Sequence, residues 1–460
     1  MTRHLRRFGA LASLSLLAGV ALPLRAQQPT RMVRTLSLDS AVALAGPASE
    51  TVGIAAAGLE RARGAQAQAR SVFLPQLSAN ATYTRTLKSQ FAGVFGGNSD
   101  TSSSGPDFSN LPFGQANAYA LGLQGQWTLF NGMRNFAGAS AAAADTRAAR
   151  TGLLSQRAAL LLTTAESYYD ALLADRLVAI AESTLAQSEA TLRETQLGYD
   201  VGNRAEFDLL RARVGRDNAR PAVINAHAAR DIAYLRLKQL LDLPLTDSLV
   251  LTSVLEDSTL ALPRQAGEFS ADTAVGARAP VVQAAAAVDA SNGRLRVATG
   301  ELYPAVVLQS TYNRFGYPKS GLPQWDQMRP DWNVVLALSM PIFTGGRIRG
   351  SKDAARAALA DARLRLQQTR EAAEIDLQNA ITTAAAAQAT YDASAGTADQ
   401  AQRAYEIAQV RYREGISTQT ELADARLQLQ QAQAQRAQAA RALQVARLRL
   451  ALFRDLPLGA

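Results

Sequence analysis

Two ten-residue stretches decide the fold of this 460-residue chain: WTLFNGMRNF at residues 127–136 and MPIFTGGRIR at residues 340–349. Phe130 in the first stretch aligns with Phe343 in the second, 213 positions later, and Gly132 aligns with Gly345. The same offset aligns residues 196–214 with 409–427 and residues 242–245 with 455–458. One offset that holds without a gap from residue 130 to residue 245 indicates a tandem duplication.

Each half of the duplication is expected to be one structural unit. Upstream of the decisive stretches the offset changes to 229, where FLPQLSANATYTR at residues 73–85 aligns with LYPAVVLQSTYNR at 302–314. The extra residues of the first half fall in the Gly/Ser-rich segment 91–114, which reads as a longer surface loop. We therefore divide the chain into a first repeat (27–245), a linker that packs at mid-length (246–270) and a second repeat (271–460).

The segments that flank this loop alternate between apolar and polar residues with the period of a β-strand. Each of the four segments is about ten residues long. The apolar set of the first segment is Leu77, Ala79, Ala81 and Tyr83; of the second, Tyr119, Leu121, Leu123, Trp127 and Leu129; of the third, Val306, Leu308 and Tyr312; and of the fourth, Trp332, Val334, Leu336, Leu338, Met340 and Ile342. Half-buried hairpins show the same pattern, but the aromatic ends of these segments favour a membrane barrel.

Four strands cannot close a membrane barrel alone, because open sheet edges are not tolerated in lipid. A closed bacterial barrel needs about eight strands or more, so the chain is expected to associate. Three copies would contribute twelve strands. The fold class predicted from sequence is therefore an α+β membrane protein with a trimeric twelve-stranded barrel and long helices.

A helical run of 67 residues follows each second strand, from residue 133 to 199 and from 346 to 412. An uninterrupted helix of this size is about 100 Å long. Each run turns at a glycine, in GYDVGN and in RYREGI, and helix resumes through Leu241 and Phe453. Pro221 is expected to kink or break the first returning helix, whereas its counterpart, Ala434, is not.

The N-terminus has the composition of a secretory signal. Basic residues precede an apolar run from Phe8 to Leu22, and Ala26 supplies the small residue before the expected cleavage point, which predicts a signal peptide at 1–26. The alternative is a membrane anchor, but the run is too short to span a bilayer. Loss of the four leader arginines lowers the net charge from +9 to +5. This thin positive charge has no basic cluster, so no nucleic-acid partner is expected.

The side-chain inventory gives no catalytic or metal-binding pattern. The chain has no cysteine, and His227 stands alone in a helical run, where a structural role is expected. GGRIRGSK at residues 345–352 imitates a phosphate-binding loop, but its serine and lysine are in the wrong order. We therefore expect no enzyme activity, no cofactor and no metal.

The chain resembles the TolC-like outer-membrane efflux protein family over nearly all of residues 36–458. The residues that carry the resemblance are LSLDSAVALA at 36–45, the joins FLPQL, LYPAV, LFNGMR and IFTGGR, and the turns YDVGNRAEFDLLRA and YREGISTQTELADA. The resemblance implies a homotrimer with one β-barrel in outer-membrane lipid and one α-helical barrel in the periplasm. It also implies a passive conduit that joins a periplasmic adaptor and an inner-membrane pump in efflux or type I secretion.

The resemblance assigns the two turns to adaptor docking. The docking residues it implies are Val201, Gly202, Asn203, Glu414, Gly415 and Ile416. The simpler interpretation is that each glycine merely ends a helix, and both interpretations can hold.

The resemblance further implies a periplasmic gate built from Glu421, Asp424, Asp208 and Tyr412. Glu421 and Asp424 are three residues apart and share a helix face, so threefold symmetry would make each a ring of carboxylates that favours cations. The alternative is a solvated helix face. Tyr412 and Asp208 would form a latch, which is weakened here because Ser417 stands at the position of a basic partner.

A trimeric envelope spacer or adhesin is the rival to a conduit, since it shares the long helices. Such a spacer would gather its strands at one end of the chain, whereas these strands lie inside each repeat. Drugs, metals, polysaccharide and secreted protein all stay open as cargo.

Overall fold

The computed structural model describes residues 33–88, 116–255, 262–269, 273–318 and 321–459. The expected signal peptide and the Gly/Ser-rich segment 91–114 lie outside these residues. The strands are β1 (Val33–Leu36), β2 (Gln76–Arg85), β3 (Asn117–Asn131), β4 (Ser248–Leu251), β5 (Ala305–Gly316) and β6 (Arg329–Ser339). The helices are α1 (Leu38–Ala48), α2 (Glu50–Ser71), α3 (Arg134–Asp200), α4 (Glu206–Leu240), α5 (Ala279–Gly300), α6 (Arg347–Arg413) and α7 (Gln419–Leu452).

The four predicted strands form one antiparallel sheet in the order β2-β3-β5-β6. The central pair, β3 with β5, joins the two halves of the chain. The outer strands, β2 and β6, each pair on one side only among the described residues. All four strands meet the helices at the same end of the sheet, because β2 and β5 follow helices and β3 and β6 precede them.

The sheet has one apolar and one polar face, as the alternation predicts. Across the sheet, Ala79 pairs with Leu123, Leu123 with Tyr312 and Tyr312 with Trp332, so these residues share the apolar face. On the opposite face, Ser78 pairs with Gln124, Gln124 with Thr311 and Thr311 with Asn333. The large apolar side chains are exposed, and Leu77, Trp332 and Leu338 retain more than 70% of their accessible surface.

The alternation predicted for two strand ends is wrong. The β3–β5 register shifts between Thr128 and Phe130, so Phe130 rather than Leu129 continues the apolar face opposite Val306. This shift is a bulge, which inserts one extra residue and moves the following side chains to the other face. Strand β6 ends at Ser339, so Met340 and Ile342 lie beyond the sheet.

The two long helices are uninterrupted. Helices α3 and α6 each contain 67 residues and begin one residue later than predicted. The shift arises because Met133 and Gly346, which precede them, adopt left-handed backbone conformations with φ of 62° and 86°. Among the described residues, no single helix meets the length and hydropathy expected of a bilayer span, although the bent pair α1 and α2 meets them jointly.

Pro221 does not break α4, which runs through it from Glu206 to Leu240. The residue is exposed, and α4 is held by buried residues on both sides of it: Leu209 and Ala212 before, Tyr234 and Leu237 after. Loss of one backbone N–H is therefore offset by packing against α3. The expectation of a break is wrong for this reason.

The helices pack in two layers at different positions along α3 and α6, one nearer the sheet and one farther from it. Nearer the sheet the packing order is α2-α3-α5-α6, with side-chain links such as Arg294 to Asp145 at 2.6 Å. Farther away the order is α4-α3-α7-α6, with Arg230 Nε 2.5 Å from Asp175 Oδ1. We call this group of helices, farther from the sheet, the lower array; helices α4 and α6 are its two edges.

The largest core lies where these layers meet. Strand β1 pairs in parallel with β4, and Leu36 and Leu249 pack with Tyr168, Leu237 and Leu452. Strand β4, which lies in the segment expected to pack at mid-length, thus joins this core, whereas β1 was not expected from sequence. The Tyr168 hydroxyl donates to the Leu36 carbonyl over 3.0 Å, which ties the core of α3 to β1.

Helix α3 buries several hydroxyl groups that hydrogen bond within the helix itself. Thr164, Ser188, Thr191 and Thr195 are each at most 9% exposed. Each donates to the carbonyl four residues earlier, over 2.7 to 3.0 Å. This arrangement satisfies a buried hydroxyl without a partner from another helix.

Candidate functional site: the helix turns

The turn between α3 and α4 is built on Gly202. Its φ of 78° is left-handed, which favours glycine. The Gly202 N–H donates to the Tyr199 carbonyl (2.9 Å), and the Asn203 N–H donates to the Gly198 carbonyl (2.7 Å). These two bonds form the Schellman arrangement that ends a helix while satisfying its last carbonyls.

The turn between α6 and α7 repeats this geometry on Gly415, with φ of 73°. The Gly415 N–H donates to the Tyr412 carbonyl (3.1 Å), and the Ile416 N–H donates to the Arg411 carbonyl (2.9 Å). The interpretation that each glycine ends a helix is therefore confirmed. A docking role for the same turns stays a prediction.

The six predicted docking residues lie at the surface. Val201 is 70% exposed and Ile416 is 68% exposed, and Asn203 and Glu414 are exposed as well. A Cβ atom placed on Gly202 or Gly415 would meet no atom within 4 Å. Two apolar side chains on rigid turns, with open space around them, suit contact with another protein.

Tyr412 is buried at 2% exposure and does not face solvent. Its hydroxyl lies 2.8 Å from Oγ1 of Thr195, across the gap between α6 and α3. Because the Thr195 hydroxyl already donates to the Thr191 carbonyl, the Tyr412 hydroxyl is the donor. Within this chain, Tyr412 therefore joins α6 to α3; its predicted latch with Asp208 stays a prediction.

Arg204 is a further residue of this site that the sequence analysis missed. Its Nη2 donates to the Tyr412 carbonyl (2.7 Å), and its guanidinium lies 4.4 Å from the centre of the Tyr412 ring. Gly198 makes room for it, since a Cβ there would lie 2.6 Å from Cγ of Arg204. A basic side chain is also favourable at a helix C-terminus. Arg204 thus joins the turn after α3 to the C-terminal end of α6.

The predicted gate carboxylates lie near the N-termini of the returning helices. Glu421 and Asp424 are exposed on α7, and Asp208 is half-exposed on α4. The Glu421 N–H donates to the Thr418 hydroxyl (3.3 Å), which places Glu421 in the first turn of α7. An acidic residue there also stabilises the helix dipole.

The polar surroundings of Asp208 link the two turns. With its amide oriented to satisfy both neighbours, Gln419 donates to the Asp208 carbonyl and accepts from the Ala212 N–H, each over 2.9 Å. Arg211 Nη1 lies 2.5 Å from the Thr420 hydroxyl. Helices α4 and α7 are therefore joined at their first turns, and all four predicted gate residues belong to one region.

The remaining motifs have structural contacts. His227 Nε2 lies 3.1 Å from Glu182 Oε1, and both side chains are about half-exposed. Gly345 and Gly346 lie in the segment that imitates a phosphate-binding loop. Both have left-handed backbone conformations and stand directly before α6. In the part of the chain that the structure describes, no group of three His, Cys, Asp or Glu side chains could hold a metal ion.

The chain places an exposed apolar sheet face and a pair of helix turns at opposite ends of two long helices. One end is a sheet with an exposed apolar face, and the other is a pair of glycine turns about 100 Å away along α3 and α6. The chain belongs to the outer membrane efflux protein family, whose sequence model matches residues 48–242 and 272–453.

Known proteins share this sequence pattern and fold. The toluene efflux pump outer membrane protein TtgF of Pseudomonas putida is 26% identical over 262 residues, which cover 55% of this chain and 52% of that protein. This chain thus spans about half the length of the curated relatives it matches. The outer membrane protein VceC of Vibrio cholerae has a similar structure, with a TM-score of 0.74, 20% identity and coverage of 91% of this chain and 95% of that one. The open MtrE outer membrane channel of Neisseria gonorrhoeae gives a TM-score of 0.72 at 21% identity, over 91% of this chain and 89% of that one.

Proposed function

We propose that this chain is the outer-membrane channel of a tripartite efflux or type I secretion system and passively exports substrates delivered by an inner-membrane pump. The proposal rests on one observation: this member of the family combines an exposed apolar sheet face with two uninterrupted helices of 67 residues. The sheet would lie in the outer membrane, and the helices would extend into the periplasm. A periplasmic adaptor would bind the turns at Gly202 and Gly415.

The channel would be a homotrimer. Strands β2 and β6 are sheet edges, and an unpaired edge in lipid costs several kcal/mol for each unsatisfied group. Three chains that pair β2 with β6 would close a twelve-stranded barrel. Helices α4 and α6 also expose apolar side chains at the array edges: Phe207, Leu210, Val214, Ile224, Ile232 and Leu235 on α4, and Leu364, Ile375, Ile381, Ile407 and Val410 on α6.

We propose that the chain is a tandem repeat of one structural unit. Helices α3 and α6 have equal lengths, and both are followed by Gly-containing turns with the same hydrogen bonds. The family match likewise falls into two segments. We propose the boundaries 27–245, 246–270 and 271–460 for the first repeat, the linker and the second repeat.

The assembly prediction is tested on the detergent-purified protein. Light scattering or native mass spectrometry is expected to give three chain masses, because closure satisfies the edges of β2 and β6. The purified trimer is then expected to conduct ions in planar bilayers, which a spacer or adhesin does not. A stable monomer with full β content would contradict the barrel.

The exposed acids Glu421 and Asp424 are proposed to line the narrow periplasmic end of the pore. In a trimer they form two rings of carboxylates, which raise the permeability of cations over anions. The double variant Glu421→Ala, Asp424→Ala is expected to lower that ratio by a factor of roughly 3 to 5, equivalent to about 1 kcal/mol. Reversal potentials of the reconstituted trimer in a salt gradient measure this ratio.

A charge-matched variant separates a pore position from a general charge effect. Asp353→Ala with Asp361→Ala removes the same number of carboxylates from exposed positions on α6, where each pairs with an arginine of the same helix. This control is expected to leave the permeability ratio unchanged. If the Glu421 and Asp424 variant leaves it unchanged too, these carboxylates face away from the pore.

A further inference from the structure

An arginine lies on the apolar face of the sheet. Arg314 pairs with Leu121 on one side and with Pro330 on the other, and it shares its face with Tyr312 and Trp332. It stands near the sheet end that is remote from the helices, since β5 begins at Ala305 and ends at Gly316. A charged side chain on a face that contacts lipid is unfavourable unless it has a polar partner.

The contacts of Arg314 orient its guanidinium but leave its charge unpaired. Nε donates to the Tyr312 hydroxyl (2.8 Å), and Nη1 donates to the Trp325 carbonyl (3.0 Å). The guanidinium also stacks 4.1 Å from the centre of the Trp325 ring. Among the described residues, no carboxylate lies within ion-pair distance of it. Three of its five N–H groups therefore stay available to an anion.

An apolar groove of about 430 Å³ lies beside Arg314. Its walls are Tyr83, Tyr119 and Leu121 of the sheet and Leu322, Pro323 and Trp325 of the segment that precedes β6. The Tyr119 hydroxyl donates to the Gly321 carbonyl (3.2 Å), which holds this segment over the sheet. Leu322 and Trp325 are 80% and 63% exposed, so the groove is open on its outer side.

Gly316 is the position that lets the segment lie against the sheet. A Cβ atom there would be 2.8 Å from Cβ of Pro323 and 3.2 Å from Cγ of Met328. Met328 is buried at 5% exposure. The shape of the groove thus depends on the close approach of Pro323 to the end of β5.

We propose that Arg314 and this groove bind the phosphorylated glycolipid of the outer leaflet, with a lipid phosphate on the guanidinium and an acyl chain in the groove. The proposal rests on the proposed barrel, which places the end of β5 in the outer leaflet. Charge complementarity selects an anionic headgroup, and the apolar walls select a chain beside it. Arg85, also exposed on this face and roughly 16 Å away by strand geometry, would meet a second phosphate.

The first experiment varies the lipid and leaves the protein unchanged. Native mass spectrometry of the detergent-purified chain is performed with diphosphoryl lipid A, with fully dephosphorylated lipid A and with phosphatidylglycerol. Diphosphoryl lipid A is expected to bind roughly tenfold more tightly than the dephosphorylated lipid, as one lost charge-assisted contact implies. Equal affinity for all three lipids would overturn the proposal. Phosphatidylglycerol that binds as tightly as diphosphoryl lipid A would also overturn it.

The second experiment varies the site. Arg314→Gln is expected to lower lipid A affinity roughly tenfold, and Gly316→Ala is expected to weaken it by displacing Pro323. Arg329→Gln is the matched control, because Arg329 is exposed at the same height on the polar face. Affinity that is equal in wild type and Arg314→Gln would refute the site. The same spectra report the number of chains, so failure of the trimer is distinguished from failure of the lipid site.

Discussion

Proline at Gly202 or at Gly415 is expected to reduce export to below a tenth of the wild-type rate while leaving the trimer in the membrane. Both glycines have φ above 70°, whereas proline fixes φ near −65°, so neither Schellman turn can form. Proline also removes the N–H that donates to the Tyr199 or Tyr412 carbonyl. Each turn lies far from the sheet, so assembly of the barrel is not affected.

The comparison that isolates the backbone is Gly202→Asn or Gly415→Asn. Asparagine tolerates left-handed φ better than other residues with a side chain, and neither site has an atom within 4 Å of the added Cβ. These variants are expected to keep most of the export activity. Export is measured as resistance to, or secretion of, a substrate of the pump that co-purifies with the chain. If both proline variants still export normally, the turns are not the docking surface.

Removal of the Asp376 carboxylate is expected to destabilise the chain more than any change at an exposed ion pair. Asp376 lies on α6 and contacts two arginines: Nη1 of Arg278 at 2.8 Å and Nη2 of Arg449 at 3.3 Å. Arg278 is fully buried, with its guanidinium 3.9 Å from the centre of the Phe453 ring. Burial lowers the pKa of Arg278, and Asp376 opposes this by favouring the charged form.

In Asp376→Ala the Arg278 guanidinium stays buried without its carboxylate, which costs about 3 to 5 kcal/mol. The midpoint of thermal unfolding, followed by circular dichroism, is expected to fall by roughly 3 to 6 °C, because the unfolding entropy of a chain of this length is about 0.9 kcal/mol/K. Asp353→Ala breaks an exposed pair on the same helix and is expected to cost less than about 1 kcal/mol. The double variant Arg278→Met, Asp376→Leu is expected to recover most of the loss, because it removes both buried charges. Equal midpoints for Asp376→Ala and Asp353→Ala would contradict this account.

Local periodicity was sufficient to predict the four strands of the main sheet and the two 67-residue helices, although it did not predict β1. The lengths of α3 and α6 follow from uninterrupted helical sequence, and the positions of Gly202 and Gly415 follow from the need for left-handed φ at a helix end. The alternation along β2 predicts its two faces. Each of these features is set by residues close together in the sequence, so a local sequence pattern is enough to predict it.

Features that depend on distant residues could not be predicted in this way. The pairing of β3 with β5 and the bulge before Phe130 depend on how two halves of the chain meet. The contact of Arg204 with Tyr412 joins residues 208 positions apart, and a lone arginine in a turn gives no sign of its partner. Its one local clue was Gly198, a glycine inside a helix that leaves space for another side chain.

The internally bonded hydroxyls of α3 have a mechanical consequence. Since Thr164, Ser188 and Thr191 donate to their own helix, no hydrogen bond from these groups must break if a neighbouring helix slides along α3. Resistance to sliding along α3 then comes from side-chain pairs that join it to its neighbours: Tyr412 with Thr195, Arg230 with Asp175 and Arg441 with Asp170. Movement of α4, α6 or α7 along α3 is therefore opposed at these pairs and not at the buried hydroxyls.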